Sequence, residues 1–262
     1  MDEYKRDEWL NMDFKVYCVM HVGPRENQED CILIKGEVIQ ARQFEDTWKF
    51  SSNEMELLAI CDGMGGLTAG EKASRFVCES LVKSSGGADP TKDIPAELES
   101  IQLSMEHDFN EECGTTIAGM TIAPFGMQVF NIGDSRVYRV SPVGIERLSH
   151  DHSIVQVLLD DGKITEQEAF AHPYRNLITA GMGPAFSYKW DLETIHLHKE
   201  PIEPEGGAYF ICSDGVCDVL SDREIGDALG GSPVQNGPAL MESLKAASLK
   251  DNTSFAIVEI NP

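Results

Sequence analysis

Five acid-bearing segments follow one another along the chain: RENQED (Arg25–Asp30), CDGMGG (Cys61–Gly66), IGDSR (Ile132–Arg136), CSDG (Cys212–Gly215) and KDNTS (Lys250–Ser254). Several come after an apolar run and contain Gly, Asn or Ser, the residues of tight turns. Carboxylates gathered in one place repel, and each is costly to desolvate unless positive charge compensates. Hard divalent cations, Mg²⁺ or Mn²⁺, are the compensation that suits carboxylate and carbonyl oxygens. The chemistry implied is that of an oxygen-lined cation site.

The elements around these segments have to deliver the acids. Phe14–Val22, Cys31–Lys35 and Glu56–Cys61 read as strands, the last carrying Asp62 at its end. The glycines after Asp62 let the backbone pass close to whatever that carboxylate binds; a plain strand–turn–helix junction is the competing reading. Gly36–Asn53 is mixed in polarity and reads as an insertion without an assignable element. Ala73, Phe76, Val77 and Leu81 recur at helical spacing within Ala69–Ser84, which Gly86-Gly87 stops. A second helix is predicted over Ile94–Phe109.

Strands then return. Thr115–Ile122 and Met127–Ile132 flank an Ala-Pro-Phe-Gly turn, and Arg136–Ser141 pairs with Gly144–Leu148. That places Asp134 between two strands, where an Asp-Ser hairpin turn competes with a ligand role. Short helices are predicted over His152–Asp160 and Thr165–Ala171, with Thr165 and Glu168 as a capping box. Glu193–His198 and Gly207–Cys212 are strands, Asp222–Leu229 and Pro238–Ala247 helices, and Thr253–Ile260 a closing strand. Hairpin-linked strands with helices grouped between them predict antiparallel sheets with helices on their outer faces, an α+β fold. One domain over residues 1–262 is expected, with 1–13 as an N-terminal extension.

Composition narrows the partners. The formal net charge is −23 over 262 residues, which excludes the basic surfaces that nucleic acids require and disfavours anionic membranes. No apolar run reaches transmembrane length, and the first thirteen residues lack the apolar core of a signal peptide. Seven cysteines contain no CxxC pair. Five of them lie in apolar stretches as small hydrophobes, so a reduced, cytoplasmic setting is expected. Cys212 and Cys217 have poor spacing for zinc and no partner pair nearby.

The order and spacing of RENQED, DGMGG, GTT (Gly114–Thr116), GDSRVYR, HDHSIVQVLLDDGKITEQEAFAHPYRN, SDG and DN are similar to those of the metal-dependent Ser/Thr protein phosphatases (PPM, type 2C), above all bacterial members. The match runs from about Val19 to Ile260. The resemblance implies a four-layer α-β-β-α sandwich, two central antiparallel sheets flanked by helices, with the metal site in a cleft at one end. It implies two Mn²⁺ or Mg²⁺ ions bridged by Asp62, with the Gly63 carbonyl as a further ligand. Asp214 and Asp251 would complete the first metal's ligands, and Glu29 and Asp30 would serve the second. Asp134 with Asp214 would hold a third ion, and Arg25 would bind the substrate phosphate.

The implied activity is hydrolysis of phosphoserine and phosphothreonine on proteins by water activated between two metals, with Arg25 stabilising phosphoryl charge through its planar fork. Its partners would be phosphorylated proteins and a cognate Ser/Thr kinase. Arg25 read alone is also a surface Arg beside Glu26 and Glu29. The general acid is not assigned: Met64 follows the Asp-Gly where some relatives carry His, and a thioether donates no proton. His172 in HPYRN reads better as a turn residue, and His150 and His152 as helix-start polar residues. A catalytically silent member acting as a binding or signalling module is the alternative, and a phosphatase for a small metabolite is a third reading. The stretch Asp151–Met182 corresponds to the family's flap.

Overall fold

Alternating apolar residues build two antiparallel sheets in the computed structural model, which describes residues 13–51, 56–65, 69–84, 93–109, 112–123, 126–189, 192–200 and 207–261. The strands are β1 (Asp13–His21), β2 (Asp30–Ile34), β3 (Glu37–Ile39), β4 (Gln43–Ser51) and β5 (Glu56–Gly65). After two helices come β6 (Cys113–Thr115), β7 (Ile117–Ala123), β8 (Gly126–Ile132), β9 (Arg136–Ser141) and β10 (Gly144–Arg147). β11 (His196–Glu200), β12 (Gly207–Cys212) and β13 (Thr253–Asn261) complete the set. One sheet has the order β10-β9-β12-β13-β1-β4; the other runs β11-β8-β7-β5-β2-β3, with β6 on the end of β5.

Strand periodicity sorts the side chains into layers. Val16, Cys18 and Met20 of β1 meet Ile32 and Ile34 of β2, Leu58 and Ile60 of β5 and Met120 of β7 between the sheets. The intervening residues face outward. Cys31, Leu33, Ala59 and Cys61 pack under α1 (Ala69–Ser84) and α2 (Ile94–Asp108). Tyr17, Val19, Phe210 and Ile257 on the opposite side pack under α6 (Asp222–Leu229) and α7 (Pro233–Ala246). The result is the helix–sheet–sheet–helix stack that the sequence predicts. α3 (Ile154–Asp160) and α4 (Glu166–Phe170) stand beside it, with the Thr165–Glu168 capping box formed in both directions.

Several expectations change. Residues 36–51 are not an unstructured insertion: Lys35-Gly36 turns the chain into β3, and β4 then crosses to pair with β1 at the edge of the other sheet. β5 does not end at Cys61 but continues through Asp62 to Gly65, where β6 supplies the partner for its last residues. Thr116 breaks the strand expected from Thr115 into β6 and β7, and α7 begins five residues early, with Pro233 in the first turn, where a missing N–H costs nothing. Of the expected 1–13 extension, Asp13 belongs instead to β1 and residues 1–12 lie outside the described residues, as do the Gly86-Gly87 stop and the centre of the Ala-Pro-Phe-Gly turn.

Candidate metal centre

Register explains why acids accumulate at one end of the sandwich. Asp30 opens β2 and stands directly opposite Asp62 in β5. Both continue the parity of Ile32 and Ile60, so their side chains extend the face that lines the gap between the sheets. Ser213 extends the corresponding face of β12, and its Oγ donates to Asp30 Oδ2 across that gap at 2.9 Å. Asp214 follows as the first residue of the one-turn helix α5 (Asp214–Cys217).

Backbone contacts fix each acid. The Asp62 carbonyl accepts from Thr116 N at 2.8 Å and from Thr115 Oγ1 at 2.9 Å, while Asp62 N donates to Thr116 Oγ1 at 3.1 Å. Thr116 Oγ1 lies 2.7 Å from Ser135 Oγ and so ties the Asp134 turn to the same point. Gly63 must be glycine, because a Cβ there would lie 2.1 Å from the carbonyl oxygen of Gly70 at the start of α1. The Asp134 turn is held again by His152, whose N donates to Gly133 O at 2.9 Å and whose Nδ1 accepts from Gly133 N at 3.0 Å. Burial, with His150 alongside, keeps the His152 imidazole below its ordinary pKa, which suits that acceptor role.

Asn252 organises the remaining acids. Its Nδ2 donates to Val22 O at 2.9 Å and Asn27 O at 3.0 Å, and its Oδ1 accepts from Glu29 N at 2.7 Å. Glu29 is thereby held beside Asp30. Arg25 is half exposed and forms an ion pair with Asp251.

The electrostatics are those of crowded acids. Burial and then Asp214, Asp30 and Asp134 raise Asp62 well above a normal carboxylate. Asp134 is raised by burial, Asp214 and Asp151, against the opposing pull of Arg136. Burial pushes Asp30 up to about 7, although the Ser213 hydrogen bond opposes it. Asp214 also rises to about 7, chiefly through burial and the charge of Asp218.

Among the described residues, no three His, Cys, Asp or Glu side chains have the geometry to hold a metal outright. Arg25 occupies Asp251. The donor set nonetheless fits hard cations: it is all oxygen, and Oδ1 of Asp30 and Oδ1 of Asp214 are both buried without a hydrogen-bond partner. Neither His172, which accepts from Tyr174 N through Nδ1, nor Met64 is placed as an acid by any contact to these carboxylates. Sequence reasoning missed the positioning roles of Thr116, His152, Ser213 and Asn252. The GTT, HDH, SDG and DN motifs contain all four, and that was the available signal.

A cavity of about 470 Å³ adjoins the centre, bounded by Asp134 and Asp214 at one end and by Val155, Leu159 and Phe170 of α3 and α4 at the other. Arg136 crosses its wall and pairs with Asp151 at 2.6 Å and with Asp222 at 3.3 Å.

No family model matches the chain. It is 32% identical over 244 residues to a putative type 2C protein phosphatase of Streptococcus pyogenes, covering 87% of this chain and 96% of that protein. It is also 32% identical over 215 residues to the serine/threonine protein phosphatase PstP of Mycobacterium tuberculosis; 78% of this chain spans 40% of that longer protein. Among solved structures, the serine/threonine phosphatase Stp1 of Staphylococcus aureus superposes with a TM-score of 0.78 at 28% identity, covering 94% of this chain and 95% of that one. The catalytic domain of PstP in complex with two manganese ions has the same fold, with a TM-score of 0.69 at 24% identity and coverage of 96% and 100%. On the S. pyogenes relationship, nearly end to end in both proteins, the chain belongs to the type 2C (PPM) family of protein phosphatases.

Proposed function

We propose that this chain hydrolyses phosphoserine and phosphothreonine monoesters on proteins, using Mn²⁺ or Mg²⁺. The observation that carries the reading is the convergence of Asp30, Asp62, Asp134 and Asp214 at one end of the inter-sheet gap, with two buried carboxylate oxygens unpartnered. The names of its relatives, and the manganese of the PstP catalytic domain, support it.

Asp62 would be shared between two cations, with Asp214, Asp251 and the Gly63 carbonyl on one side and Glu29 and Asp30 on the other; Asp134 with Asp214 would hold a third. When bound, such ions supply Lewis acidity, withdrawing charge from phosphoryl oxygens and bringing the pKa of water toward neutrality. The chain's own residues supply placement. Ser213 fixes Asp30, Thr115 and Thr116 fix the Asp62 backbone, and Asn252 sets Glu29. Arg25 meets the phosphate with two parallel N–H donors, exchanging its exposed ion pair with Asp251, which costs little in water. The substrates imply a Ser/Thr kinase that phosphorylates them. All seven cysteines are free, in keeping with a cytoplasmic setting, and no helix among the described residues is long and apolar enough to cross a membrane.

The test is hydrolysis of a phosphothreonine peptide with Mn²⁺ and with chelator. Activity that requires the metal and disappears in Asp62→Asn, with folding intact, is the expected result. Turnover that is indifferent to chelation would overturn the reading.

A further inference from the structure

Cys212 and Cys217 bracket Asp214, and their sulfurs lie 3.5 Å apart. Neither thiol has a role in the proposed hydrolysis. Their settings differ. Cys212 ends β12 with no accessible surface, whereas Cys217 ends α5 and lines the 470 Å³ cavity. Cys217 Sγ also lies 3.5 Å from Tyr138 Oη, so its sulfur is held between a resolving thiol and a hydroxyl. A small oxidant entering the cavity therefore meets Cys217 first, with Cys212 directly behind it.

We propose that Cys212 and Cys217 form a reversible disulfide that disables the metal centre by displacing Asp214. The oxidant is a hydroperoxide. The Cys217 sulfur attacks the terminal peroxide oxygen, the O–O bond breaks, and the departing alkoxide or hydroxide takes up the thiol proton, leaving a sulfenic acid. The Cys212 sulfur then attacks that sulfur, the S–S bond forms as the S–O bond breaks, and the leaving oxygen departs as water with the Cys212 proton. Two thiols and one hydroperoxide give one disulfide, one alcohol (or water) and one further water.

Bonding brings the sulfurs from 3.5 Å to about 2.05 Å, and the segment between them has no slack. A Cβ on Gly215 would lie 1.9 Å from Asn252 O, so the turn is already pressed against the residue that positions Glu29. Ser213, in the same segment, holds Asp30. Drawing α5 toward β12 moves Asp214 and disturbs both neighbours. Proximity alone does not select this pair. Cys61 and Cys78 lie 3.7 Å apart, but both are fully buried where α1 packs on β5 and line no cavity described above.

The effect on turnover rests on the phosphatase reading; formation of the bridge does not. The test treats the reduced full chain with hydrogen peroxide, blocks free thiols, digests with trypsin without reduction, and measures mass. Both cysteines fall in the peptide from Glu200 to Arg223, so the bridge appears as that peptide two mass units light and unalkylated. The oxidised protein is expected to bind Mn²⁺ about ten-fold or more weakly and to lose turnover in parallel, with both restored by dithiothreitol. Cys217→Ser should keep basal turnover and resist peroxide, and Cys212→Ala should leave Cys217 as an alkylation-resistant sulfenic acid with no bridge. Full alkylation of both cysteines after peroxide treatment would overturn the proposal, as would a bridged protein with unchanged Mn²⁺ affinity. A reduced protein that never hydrolyses phosphopeptides would sink the phosphatase reading alone, since the mass and Mn²⁺ measurements stand without it.

Discussion

Asp30 and Asp62 occupy directly opposed positions on β2 and β5, two acids on the same face of one sheet. Like charges facing each other across a ladder destabilise it, and the same site adds Asp134 and Asp214. The fold therefore holds protons or cations at this end of the gap, and its stability must depend on which.

That dependence has a definite sign. Asp30 and Asp214 are raised from 3.8 to about 7, so between those values the native state binds more protons than the unfolded chain. The stability these two carboxyls contribute is fully present below about pH 4 and is lost as pH rises through 7. In chelator, the melting temperature should fall between pH 5 and pH 8. Millimolar Mn²⁺ should raise it by mass action, most strongly at pH 8, where protons compete least. Calorimetry across that range with and without Mn²⁺ checks both slopes, and a metal effect larger at pH 5 would contradict the site.

Ser213→Ala removes the hydroxyl that donates to Asp30 across the two sheets. The buried carboxylate loses a partner, for a loss of about 1–3 kcal/mol measured by urea unfolding. Mn²⁺ affinity should fall about ten-fold with it. Stability and affinity that both match the parent protein would show that Ser213 does not position Asp30.

Arg25 behaves differently, because its ion pair with Asp251 leaves 53% of its side chain exposed. Arg25→Ala should change stability by less than about 1 kcal/mol. Turnover on a phosphothreonine peptide should drop by about 100-fold, the scale for losing a charge-stabilising donor. Steady-state kinetics beside a denaturation curve separate the two effects.

Asn252→Ala strands the buried Val22 carbonyl, the Asn27 carbonyl and the N–H of Glu29. A loss of roughly 2–4 kcal/mol is expected from several unpaired groups, together with weaker Mn²⁺ binding. Hydrogen exchange should show the Val22–Glu29 loop opening first, and uniform loosening of the whole chain would speak against a local role.

Gly63→Ala tests packing rather than charge. Its Cβ would overlap the backbone oxygens of Gly70 at 2.1 Å and Glu29 at 2.7 Å, neither of which can rotate away. A loss of more than about 4 kcal/mol is expected, seen as failure to accumulate folded protein.

Local pattern made much of this legible. The limits of α1 and α6 coincide with the predicted Ala69–Ser84 and Asp222–Leu229, and β1 is displaced by a single residue. What local pattern concealed was pairing. β4 reads as mixed polarity because it sits at a sheet edge; Phe44, Trp48 and Phe50 alternate correctly, but Asp46 interrupts the series. β5 runs on through Gly63–Gly65 because β6 supplies hydrogen bonds from fifty residues away. The acids announced themselves by type, whereas Asn252 and Thr116 act on backbone atoms of distant loops: the DN and GTT motifs mark where they lie but not which groups they hold.

β13 is not at an edge but inserts between β12 and β1, pairing Asp13–His21 along its whole length. Asp251 and Asn252 arrive with it. Residues 13–21 and 253–261, far apart in sequence, must therefore find one another before the six-stranded sheet can close. Asp251 and Asn252 reach the other acids only once that long-range ladder has zipped, so any cation captured there reports a finished topology and not a local turn.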